Sequence, residues 1–90
     1  MRMSPLRTAP TVLIRAARGS DGEALDRLAQ LDSAHVPAGE LLVAEADGSV
    51  VAALAPETGA AIADPFRPTS DVLALLRLRG KRLRGAHHRT

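Results

Sequence analysis

Two apolar runs joined by Asp47-Gly48 constrain this chain more than anything else in it. Leu41-Leu42-Val43-Ala44 leads toward the turn, and Val50-Val51-Ala52-Ala53-Leu54 follows it. Asp-Gly is a strong hairpin signal, because both central residues of a type I′ turn take positive φ. The runs are apolar at odd and even positions alike. Leu41 and Val43 fall on one side and Leu42 and Ala44 on the other, while Val50 and Ala52 oppose Val51 and Ala53. A sheet wetted on one face would alternate apolar with polar residues. Both faces of this sheet are therefore expected to be covered.

The flanking sequence supplies the cover. Thr11 to Ala16 reads as a strand and Ala60 to Asp64 as a short one, with Pro56-Glu57-Thr58-Gly59 as the turn before it. Ser20 with Glu23 three residues on predicts a capping box. The helix it opens has Leu25, Leu28 and Ala29 on one face, turns Asp26, Arg27 and Gln30 to water, and ends near Ser33. A second helix is predicted from Thr69 or Ser70, apolar almost all round over Val72, Leu73, Leu75, Leu76 and Leu78, and stopped or weakened at Gly80, with Lys81 to Arg84 able to resume it. The fold class expected is α+β, a mainly antiparallel sheet of about four strands with two helices.

Ninety residues make one small domain. A chain this short buries only about 60–65% of its unfolded surface. The apolar set is also thin: it holds 17 Ala and 13 Leu, and Phe66 is the one aromatic residue. Two helices can cover a two-sided sheet only sparingly, and a homodimer is the expected remedy. There is no cysteine, which excludes disulfides and thiolate chemistry. No apolar run approaches the roughly 18 residues of a membrane span. With no signal-like N-terminal run either, the expected location is cytoplasmic.

The net charge of +2 hides an asymmetry. Residues 1–66 hold five Lys/Arg against nine Asp/Glu, whereas residues 67–90 hold seven against one. Arg77, Arg79, Lys81, Arg82 and Arg84 form a basic C-terminal cluster. Such a cluster suits an acidic partner or a polyanion, or simply the cation-favouring end of a helix. No aromatic residues accompany it for base stacking. His87-His88 lacks the spacing of a metal site. His35 beside Asp32 and Ser33 lacks the sequence separation of a catalytic triad. Glu40 and Glu45, at the ends of the central strand, read as surface residues. No catalytic or metal-binding residue is expected.

The order of elements carries a resemblance. Val12-Leu13-Ile14-Arg15-Ala16-Ala17, then Asp21 and the Ala24-Leu25-Leu28-Ala29 helix, then Leu42-Val43-Ala44-Glu45-Ala46-Asp47-Gly48-Ser49-Val50-Val51-Ala52, resembles the first half of the GNAT superfamily of acyl-CoA-dependent N-acyltransferases. The likeness covers about residues 12–79. It implies that the junction after the fourth strand meets the CoA pyrophosphate through a motif Arg/Gln-x-x-Gly-x-Gly/Ala. Here that stretch reads Arg67-Pro68-Thr69-Ser70-Asp71-Val72. The arginine matches, both small positions are lost, Pro68 removes an amide donor, and Asp71 adds a negative charge. Arg67, Thr69 and Ser70 are then the candidate acyl-CoA or anion ligands. The family's second half, with its splayed strand and frequent tyrosine acid, has no counterpart in this sequence, which contains no tyrosine.

The organisation expected is a flexible leader over residues 1–10, a GNAT-like half-domain over 11–79 and a basic tail over 80–90. The expected role is a non-catalytic, self-associating interaction module without a cofactor. Two alternatives stay open: an acetyl-CoA or other acyl-CoA binder, or an N-acyltransferase, completed by a second chain; and a polyanion-binding protein using the basic tail.

Overall fold

The computed structural model of the chain describes residues 12–88, with side chains through Leu83. The expected leader and Thr11 lie outside the described residues, as do the side chains of Arg84, His87 and His88. The elements are β1 (Val12–Ala16), α1 (Gly22–Leu31), β2 (Leu42–Ala46), β3 (Ser49–Leu54), β4 (Ala61–Ala63) and α2 (Ser70–His88). The four strands form one antiparallel sheet in the order β1-β2-β3-β4. The fold is α+β, as the sequence pattern implied.

The β2–β3 turn is built as its dipeptide dictates, with Asp47 at φ 53° and Gly48 at φ 85°. Beyond it the ladder slips by one residue. Ala44 pairs with Ala52 but Glu45 pairs with Val50, leaving Val51 as an extra residue in β3. This bulge re-phases the strand. Val50 therefore packs with Ala53 on one face, while Val51 and Ala52 both join the other. Simple alternation, which put Val50 and Ala52 on one side, fails at this point.

Each face has its own core. Leu25, Leu28 and Ala29 of α1 pack with Val43, Val50, Ala53 and Ile62. Val72 and Leu76 of α2 pack with Leu42, Ala44, Val51, Ala52 and Leu54 on the opposite face. The alanines leave little side chain between helix and sheet, so a few leucines fill each layer.

Two local expectations are corrected. Ser20 does not cap α1; it lies in a 3-10 turn, Gly19–Asp21, which leads into the helix. The box closes instead on Asp21, whose Oδ2 accepts the Arg18 backbone N–H at 2.7 Å. Nor does Gly80 stop α2, which continues through it to His88. A Cβ added at Gly80 would meet Leu54 Cδ2 at 3.1 Å and Pro56 Cβ at 3.4 Å. At this glycine the helix passes closely over the end of β3, a contact that is set against its poor helix propensity of about 1 kcal/mol.

Candidate functional site

The turn from β4 into α2 is organised by Asp64. Its backbone N–H donates to the Val51 carbonyl at 2.9 Å. Its Oδ1 accepts the Phe66 N–H at 2.8 Å, and its carbonyl accepts the Arg67 N–H at 3.3 Å. The carboxylate is buried within this turn. Pro65 and Pro68 have no N–H to offer. The turn amides that a phosphate would need are thus spent on Asp64 or missing. An external anion would have to use first-turn amides beyond Pro68, next to the exposed Asp71. Arg67 and Thr69 are half-buried and Ser70 is exposed, so the three candidate ligands sit along one turn. Among the described residues no hydrogen bond links their side chains to one another. Thr69 contributes its carbonyl, which accepts the Leu73 N–H at 2.8 Å and starts the helix.

The strongest electrostatic arrangement lies elsewhere, at the opposite end of the sheet order. Arg15 on β1 forms a bidentate pair with Asp21, Nη1 to Oδ2 at 2.8 Å and Nη2 to Oδ1 at 2.9 Å. Its Nε donates to Glu45 Oε2 on β2 at 2.7 Å. Asp21 is held well below the usual carboxylate range, first by the Arg15 hydrogen bonds and then by the Arg18 amide. Arg15 is raised further above its already high value by the same two acids. Glu45 is therefore a half-buried ion-pair partner, not the surface residue its strand-end position suggested. This cluster ties β1, β2 and the 3-10 turn together. With Arg15 and Asp21 fixed in their charged forms, neither has a proton to exchange near neutrality.

The remaining sequence candidates separate. Glu40 and His35 are exposed. Asp32 accepts the Ala63 N–H at 3.1 Å and so ties the end of α1 to β4. Ser33 takes a left-handed φ of 53° as the chain leaves α1. No group of three or more His, Cys, Asp or Glu among the described residues could hold a metal ion. No helix among them is long and apolar enough to cross a membrane.

Along α2, Arg77, Arg79, Lys81 and Arg82 are all exposed. Arg77 donates from Nη1 to the Gly59 carbonyl at 3.1 Å, which anchors the helix to the β3–β4 turn. An open groove of about 220 Å³ lies there, lined by Leu54, Pro56, Gly59, Arg77, Gly80 and Lys81. A second, of about 270 Å³, runs from Ala16 and Glu40 to Pro56 and Leu83. Among the described residues five large apolar side chains are exposed: Leu13, Phe66, Leu75, Leu78 and Leu83. Three of them are on α2. Leu73, by contrast, is half-buried against the core on the α2 side. No protein-family model, curated protein or solved structure matches this chain.

The Arg15 cluster does have a signal in the sequence. An arginine placed on the same side as Val43 and Leu41 needs acids within reach. Asp21 lies six residues on, and Glu45 shares the face of the neighbouring strand.

Proposed function

We propose that this protein is a small, non-catalytic interaction module of GNAT-like design that works as a homodimer. The observation that carries the reading is the surface of α2. That helix buries Val72 and Leu76 in its own core yet leaves Leu75 and Leu78 each 47% exposed. The two leucines are neighbours on the helix surface, and contiguous apolar surface left outside a core offers an interface. The Asp64-centred turn supports the non-catalytic part of the reading, since its amides serve the fold in place of an acyl-CoA pyrophosphate. Light scattering over a dilution series tests it. A two-chain mass at tens of micromolar that falls toward 9.4 kDa on dilution is expected. A one-chain mass throughout refutes self-association. Calorimetry with acetyl-CoA tests the other half, where no low-micromolar binding is expected.

The exposed cations along α2 favour a second reading, a site for an acidic partner or polyanion. Retention on heparin that falls steeply with salt, and falls again in Arg79→Ala and Lys81→Ala, would support it. Salt-insensitive passage would remove it.

A further inference from the structure

The outer surface of α2 holds enough information to say how two copies meet, given the self-association proposed above. Val72, Leu76 and Gly80 form the buried row of α2. A second row, on a different face, reads Asp71, Leu75, Leu78, Arg82. Its spacings of four, three and four place all four residues in one stripe of a 3.6-residue helix. That spacing is also the seam of a two-helix pair packed at a shallow angle. All four residues are exposed.

The charges at the two ends of this stripe are opposite and lie at equal distances from its middle. Asp71 is four residues before Leu75, and Arg82 is four residues after Leu78. Two copies laid parallel would set Asp71 against the partner's Asp71 and Arg82 against the partner's Arg82. Two copies laid antiparallel would set unlike charges together at both ends and leucine against leucine between them. The antiparallel arrangement also opposes the helix dipoles favourably. We propose that α2 pairs with α2 of a second copy about a two-fold axis, with Leu75 facing the partner's Leu78 and Asp71 facing the partner's Arg82. This is an isologous contact, which closes at two chains. The leucines supply the association. Exposed ion pairs contribute little affinity, so here they select orientation and register. Ala74, small and exposed beside the stripe, does not obstruct a close approach.

The test uses the full chain with two single charge reversals, Asp71→Arg and Arg82→Asp, followed by sedimentation at low salt. Each variant alone carries the same charge at both ends of the stripe. Each should self-associate about tenfold more weakly than the parent, because both end pairs become repulsive. An equimolar mixture of the two should recover the parent's association, since unlike charges then meet at both ends. A mixture no more associated than its components, with the parent dimeric, overturns this pairing and leaves the self-association reading standing. A parent at one-chain mass overturns both. Should either reversal lose its helical circular dichroism, Leu75→Cys mixed with Leu78→Cys gives a second readout, because the parent has no cysteine. The mixed disulfide should form faster than either self-disulfide; equal rates would contradict the antiparallel register.

Discussion

The two helices solve the same task and are left in different states. Each lays a short apolar row on one face of the sheet, Leu25, Leu28 and Ala29 for α1 and Val72 and Leu76 for α2. On α1 the opposite face is Glu23, Asp26, Arg27 and Gln30, all exposed and polar, so that face has no apolar surface to bury. On α2 the outer surface mixes Leu75 and Leu78 with Arg77, Arg79 and Arg82. An amphipathic helix with one apolar stripe is satisfied by one sheet. A helix with two stripes is satisfied by a sheet and something else. The comparison separates what the domain needs to fold from the surface that the proposed pairing would use.

The largest effects should come from the inner rows, and they should be alike. Leu28 and Leu76 are both completely buried. Leu28→Ala and Leu76→Ala should each cost about 2–5 kcal/mol, read by chemical denaturation. A much smaller loss at Leu76 would show that α2 is only loosely docked and would break the comparison.

A second prediction concerns how the α1 side is secured. Asp21→Asn should cost about 2 kcal/mol, because it strips charge-assisted hydrogen bonds from a largely buried arginine. The pH dependence follows from the depressed Asp21 carboxyl. In the unfolded chain an aspartate titrates near about 3.9. The folded value lies below that, so the contribution is complete above the unfolded value and declines as pH falls toward the folded one. Acid denaturation of the parent should therefore steepen below about pH 5, and Asp21→Asn should flatten that limb. An unchanged acid limb would mean that the Arg15 pair adds nothing to the fold.

A smaller effect is expected at the point where α2 touches β3. Gly80→Val should destabilise by about 1–3 kcal/mol, since new methyl groups would press on Leu54 and Pro56. Gly80→Ala should fall nearer to zero, its better helix propensity offsetting a contact that the flexible Leu54 tip can relieve. A stabilised valine variant would show that the glycine is not a packing residue.

These residues also mark what could be read in advance. The hairpin was legible because Asp47-Gly48 fixes a turn locally, and the two-sided burial because apolar residues fill both phases of β2 and β3. The α1 face was legible because Leu25, Leu28 and Ala29 follow helical spacing. The bulge at Val51 was not, because it is decided by how β3 meets β2 and leaves no mark in composition. Gly80 misled because a glycine that breaks a helix and one that lets a helix approach a sheet are spelled alike. Asp64 reads in the sequence only as the end of a strand, whereas its hydrogen bonds to the next turn decide which amides remain for an anion. Leu73, taken with Leu75 and Leu78 as one apolar surround, divides from them once the sheet fixes the inward direction.

The most direct test pairs mass with fold in one substitution. Leu75→Glu combined with Leu78→Glu should bring the sedimenting mass from two chains to 9.4 kDa. Its thermal midpoint, measured where the parent is also monomeric, should stay within a few degrees of the parent's. Gln30→Glu on the polar face of α1 is the control and should change neither quantity. The contradictory result is a double variant that keeps the parent's mass, or one that unfolds, either of which would mean that α2 has no second surface separate from its core.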